Sequence, residues 1–145
     1  MAHLDNLPAE PVARLRAIVS LLRSPDGCPW DREQTHESLR AGLLEEACEA
    51  IDAITKADDA NLREELGDVL LQVIFHTDLA AERGAFTLED AARHTCEKLI
   101  RRHPHVFGDS QAGDTESVLR QWEQIKREEK GATASIMENI PRALP

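Results

Sequence analysis

After Asp68 the chain reads Val69-Leu70-Leu71-Gln72-Val73-Ile74-Phe75, apolar on nearly every side of a helix. A helix of that kind has to be covered on several flanks. Directly before it stand Glu64, Glu65 and Asp68, and one segment earlier Glu45, Glu46 and Glu49. The chain must therefore bury its most hydrophobic run while keeping two acidic triplets solvated or neutralised beside it. Aromatic residues make up only 3% of the 145 and Tyr is absent, so Leu, Ala and Ile must fill the core. That is the habit of helical bundles. A hydrophobic content of 41% at this length suits one independently folding domain.

Five segments carry a helical period, and none alternates as a strand does. The first spans about Pro11 to Arg23, with Val12, Leu15, Val19 and Leu22 as its stripe and Ile18 beside it. Two prolines and a glycine in SPDGCPWD (24–31) stop it. The second starts at Thr35 or Ser38 and ends at Lys56, with Leu43, Leu44, Ala47, Ala50, Ile51 and Ile54 on one side. The third starts at Asp59 or Ala60 and stops at Gly84. The fourth opens on Thr87-Leu88-Glu89-Asp90, a capping box with Asp in place of Glu, and closes before Pro104. The fifth spans about Thr115 to Lys130, with Val118, Leu119, Trp122 and Ile125 inward. The expected fold is an all-α bundle of about five helices over residues 1–130, with 131–145 as a C-terminal tail or linker. A second copy of the chain is expected to complete the cover of the third helix.

Glu46/Glu49 and Glu65/Asp68 are each spaced i, i+3, so each pair stacks its carboxylates on one helix face. If the second and third helices form an antiparallel hairpin turning at Ala57, residues whose numbers sum to 114 lie level. Glu49 then faces Glu65, Glu46 faces Asp68, and four carboxylates converge. Close anionic groups repel, the more so when partly buried. Divalent cations relieve that repulsion, and an oxygen-only ligand set suits Mg²⁺, with Mn²⁺ as a substitute, rather than zinc. A solvated acidic face is the plain alternative, since Glu is a good helix former.

Net charge is −10. A duplex-binding protein needs a cationic face, and only Lys98 to Arg102 forms a short basic cluster, so nucleic acid is not an expected partner. An acidic chain can still hold a polyanion through a metal ion. Cys28, Cys48 and Cys96 fit no zinc spacing and are odd in number. Reduced thiols in the cytoplasm are the simple reading. No apolar run resembles a signal peptide or reaches the roughly 20 residues of a membrane span.

Glu45-Glu46-Ala47-Cys48-Glu49 followed by Glu65-Leu66-Gly67-Asp68 resembles the EExxE…ExxD signature of MazG-type nucleoside triphosphate pyrophosphohydrolases. CPWDREQTHESL (28–39), ELGDVLLQVIFH (65–76), KLIRRHPHVFGD (98–109) and WEQIKREEK (122–130) extend the resemblance over about residues 10 to 130. It implies an all-α NTP pyrophosphatase fold, a dimer or tetramer, and Mg²⁺-dependent cleavage of NTPs or dNTPs to the monophosphate and pyrophosphate. A house-cleaning role in the nucleotide pool follows. Glu46, Glu49, Glu65 and Asp68 then become the metal ligands. Glu45 lies near the site as an outer ligand or a base for water, and Glu46 shares the catalytic role. Lys98, Arg102, Trp122 and Lys126 match positions that meet the nucleotide or its phosphates.

The residues themselves leave alternatives open. Lys98 and Arg102 also suit a helix C-terminus, and Trp122 reads as core. Trp30 is either buried to hold its loop or part of the pocket. His103 and His105 lack clustered ligands and read as a structural turn. Two-domain members continue past a segment like MENIPRALP into a second copy of the fold, whereas this chain stops at Pro145. It is then either a one-domain member or an N-terminal half. The competing function is a non-catalytic nucleotide- and metal-binding module serving dimerisation or regulation.

Overall fold

The computed structural model describes residues 6–131. It contains α1 (Pro11–Arg23), α2 (Pro29–Glu33), α3 (Arg40–Lys56), α4 (Asp59–Glu82), α5 (Leu88–Arg102), α6 (Pro104–Phe107) and α7 (Thr115–Lys130), and no strand among the described residues. The five long helices are those expected from periodicity. The two short ones, α2 and α6, each begin on a proline at the first helical position, where a missing N–H costs nothing. The proposed tail, 131–145, lies almost wholly outside the described residues.

Local chemistry sets the helix ends. Glu10 caps α1, accepting from the backbone N–H of Val12 (3.0 Å) and Ala13 (2.6 Å). Thr35 and Ser38 bond reciprocally, each hydroxyl accepting the other's backbone N–H at 3.1 and 2.9 Å. This capped turn holds the chain until the regular helix α3 begins at Arg40, slightly later than the sequence suggested. Thr87 and Asp90 form the expected box, at 2.9 and 3.2 Å. α4 ends two residues before Gly84, which takes φ 71°.

The α3–α4 link is two residues long. Ala57 takes φ 53°, the left-handed region, and its N–H bonds Ile54 O at 3.1 Å. The Asp58 N–H reaches Ala53 O at 3.0 Å, which completes a Schellman closure. The Asp58 carboxylate then caps α4 by accepting from the Asn61 N–H at 3.1 Å. So short a link forces the two helices antiparallel and fixes their register.

The chain divides into two compact units, one ending at Ala91 and one beginning at Ala92. In the first, Val19, Leu39, Ile74 and Phe75 form the buried centre, with Leu15, Leu70, Leu71, Leu79 and Leu88 packed on it. α1 and the turn before α3 thus cover much of the apolar run that the sequence left in need of cover. Arg23 ties α1 to α4: its guanidinium donates two bonds of 2.7 Å to Glu82 and lies 5.5 Å from the Phe75 ring centre.

The apolar side of α3 departs from expectation. Ala50 and Ala53 are buried, whereas Leu44, Ile51 and Ile54 are 51%, 60% and 61% exposed. Helix α3 turns its small and acidic residues toward α4, which leaves the stripe centred on Ala47 and Ile54 uncovered. In the second unit, Arg101 and Arg102 both grip Glu129 of α7. Val118, Trp122 and Ile125 are half-buried as expected, but Leu119 is exposed.

Candidate functional site

The site grows from the hairpin register. α3 presents Glu46 and Glu49 to α4, which answers with Glu65 and Asp68. Carboxylate oxygens of Glu46, Glu49 and Glu65 lie within 4.8 Å of one another. Asp68 is close enough to Glu46 to bear on its titration. Both level pairs expected from the sum of 114 are therefore met.

Glu65 is buried, a rare placement for an acid. Its pKa is raised, first by burial, then by the Glu49 charge and a hydrogen bond shared with Glu49, and further by Glu64 and Glu46. Glu46 is raised by its partial burial first, then by Asp68, Glu49 and Glu45. Such a cluster favours either protons or a cation. Its donors are all carboxylate oxygens, the chemistry of a hard divalent ion. Among the described residues it is the one group of three or more such side chains placed to hold a metal. Glu45 is exposed at its margin.

The other residues singled out from sequence are carried by other elements. Trp30 sits on α2 and is 64% exposed, so it does not anchor its loop from within. The short helix that starts at Pro29 turns the indole outward. Lys98, Arg102, Trp122 and Lys126 belong to the second unit. There, Arg102 donates to Glu129 at 2.7 and 3.1 Å, and Arg101 donates to the same carboxylate at 2.6 Å. These two guanidinium groups hold the Glu129 pKa down to about 2. Lys126 donates to Glu123 at 3.0 Å and lies 5.9 Å from the centre of the Trp122 ring, which also faces His103. His103 and His105 flank the start of α6, in keeping with a structural turn.

Residues 34–107 match the MazG nucleotide pyrophosphohydrolase domain, just over half of the chain and all four clustered acids. The chain belongs to the MazG family. It is 58% identical over 121 residues to the nucleoside triphosphate pyrophosphohydrolase/pyrophosphatase MazG of Thermotoga maritima, covering 83% of this chain and 46% of that protein. It is 47% identical over 137 residues to the nucleoside triphosphate pyrophosphohydrolase of Escherichia coli K12, covering 92% and 52%. The chain thus spans about half the length of these two MazG relatives. A crystal structure of a mazG-related protein from Thermotoga maritima superimposes with a TM-score of 0.65 at 32% identity, over 79% of this chain and 97% of that one. The all-α MazG fold follows directly.

Sequence reasoning missed two features of this MazG domain. Glu129, which holds Arg101 and Arg102, was hidden because its partners lie 27 and 28 residues away. The other is a pair of histidines, His36 and His76, whose Nδ1 atoms meet at 2.8 Å. The register rule alone sets Ser38, not His36, level with His76, and His36 lies in the turn before α3 begins.

Proposed function

We propose that this MazG domain hydrolyses nucleoside triphosphates, NTPs or dNTPs, to the monophosphate and pyrophosphate with Mg²⁺, for which Mn²⁺ can substitute. The observation that carries the reading is the convergence of Glu46, Glu49 and Glu65, with Asp68 alongside. These four would hold the metal. When bound, the ion supplies charge neutralisation at the phosphates and a water of lowered pKa. Glu46, and exposed Glu45 beside it, would be the groups to accept the proton of the attacking water. Lys98, Arg102 and Lys126 are proposed to meet phosphate oxygens, and Trp122 and Trp30 the nucleoside. Arg102 must then exchange part of its grip on Glu129 for the substrate.

The domain is proposed to occupy residues 1–130 and to act in house-cleaning of the nucleotide pool. Cys28, Cys48 and Cys96 are all unpaired, in keeping with the reducing cytoplasm. No helix among the described residues is long and apolar enough to cross a membrane. The open stripe of Leu44, Ile51 and Ile54 supports a homodimer, with a tetramer as the larger alternative. Light scattering at micromolar concentration tests this, and a folded monomer refutes it.

Chromatography of ATP and dCTP digests with Mg²⁺ tests the activity. AMP or dCMP with pyrophosphate is expected. Diphosphate and orthophosphate as first products would refute the assignment, and tight binding without turnover would leave a non-catalytic module.

A further inference from the structure

Beyond the carboxylates, the same face of α4 continues as a line of neutral polar groups. Gln72 lies one turn past Asp68 and His76 two turns past it, about 6 and 12 Å along the axis. The register continues too. Gly42, level with Gln72, brings its backbone so close that a Cβ there would stand 3.0 Å from Gln72 Nε2. One turn further along α4, His76 meets His36, from the turn before α3, with rings nearly parallel, 5° apart. Glycine inside a helix is unfavourable, and here it makes room for the Gln72 amide.

This line is short of partners. Four buried side-chain polar atoms among the described residues lack one, and three belong here: Gln72 Oε1, His36 Nε2 and His76 Nε2. Buried polar groups are ordinarily satisfied, so three together at one end of a candidate site call for a ligand. The Nδ1···Nδ1 bond needs a proton on one ring only. The donating ring therefore offers a lone pair at its Nε2, and the accepting ring offers an N–H. With the Gln72 carbonyl oxygen, the line presents one donor and two acceptors.

Resting on the pyrophosphohydrolase reading, we propose that Gln72, His36 and His76 form a specificity subsite that hydrogen-bonds the edge of the substrate's nucleobase. A nucleoside triphosphate has the same polarity as this groove: charge at one end for the metal-binding carboxylates, and neutral donors and acceptors at the other. The three atoms are closed to water in this conformation, so the base edge reaches them when the Gln72 amide turns aside. Burial, and secondarily the neighbouring His36, lowers the pKa of His76, which favours the neutral form of that ring. Sites built on such bonds reject a base that leaves them unmatched.

The test compares wild type with Gln72→Leu and His36→Asn in kcat/KM for ATP, GTP, CTP and UTP, and in inhibition by inorganic tripolyphosphate. The wild type is expected to rank the four bases. Each variant should compress that spread by about tenfold, the value of one buried hydrogen bond, with tripolyphosphate inhibition within about twofold. Circular dichroism verifies folding, and Gly42→Ala, which crowds the amide without removing its atoms, serves if either variant fails. A wild type indifferent to base, an unchanged spread, or an equal loss for all four bases and tripolyphosphate overturns the subsite. If the wild type binds non-hydrolysable analogues without turnover, the pyrophosphohydrolase reading fails alone and the spread is read from Kd. Absence of nucleotide binding overturns both.

Discussion

Glu49→Gln should move stability in opposite directions with and without metal. The Glu49 charge is among the causes that raise the pKa of both Glu46 and Glu65, and its oxygens lie within 4.8 Å of theirs. Glutamine keeps the shape and removes the charge. In chelator, repulsion falls and the melting temperature should hold or rise. The pH response should flatten as well. Carboxyls with raised folded pKa values bind more protons in the folded than in the unfolded state, so they remove stability as pH rises through those values. With one charge gone, less is removed. In Mg²⁺ the sign reverses. At a free concentration of 100 times Kd, a bound ion adds about 2.7 kcal/mol. If loss of one ligand weakens the site about tenfold, the same concentration adds about 1.4 kcal/mol. The difference, about 1.3 kcal/mol, is roughly 4 °C for a chain of this size. Thermal melts across an Mg²⁺ titration, with Kd from calorimetry, give both numbers. An unchanged metal-induced rise in the variant would remove Glu49 from the site.

Three further outcomes are expected. Ala57→Gly should raise the melting temperature by about 2–4 °C, because an L-residue in the left-handed region costs about 1–2 kcal/mol, of which glycine's extra entropy cancels part; equal or lower melting refutes it. His76 has a lowered folded pKa, mainly from burial and secondarily from His36, so its contribution to stability is present above the unfolded value near 6.5 and is lost as pH falls through and below it. Urea melts at pH 8 and pH 6 should show that loss in wild type and a smaller one in His76→Phe. Lys98→Ala and Arg102→Ala should weaken a non-hydrolysable triphosphate by roughly ten- to hundredfold, and the monophosphate less; equal affinities with lowered melting would make both residues structural.

What the sequence disclosed was whatever depends on phase along one helix or on a short link between two. The i, i+3 acid pairs and the turn at Ala57 suffice to place Glu49 near Glu65 and Glu46 near Asp68. Caps such as Thr87–Asp90 are local and equally legible. Burial was less so, because it depends on which neighbour wins a face. Ile51 and Ile54 look like core by hydropathy, yet Ala50 and Ala53 are buried instead, since small side chains let α3 approach α4 closely. Trp30 was legible only as a choice between loop anchor and pocket residue, and its proline-led helix turns it outward, which removes the first. Glu129 and the histidine pair depend on tertiary partners that the hairpin register does not place.

The left-handed turn at Ala57 also divides the carboxylates evenly. Glu46 and Glu49 lie on its N-terminal side, Glu65 and Asp68 on the other, and the link between is only Ala57 and Asp58. A chain cut there separates into fragments that each carry two of the four proposed ligands, so neither fragment alone presents the full set. Metal affinity in such a split protein would report reassembly of the fragments, and added metal would drive it. A turn that serves as a spacer in the intact chain thus marks the point at which the domain could be divided into a metal-dependent complementation pair.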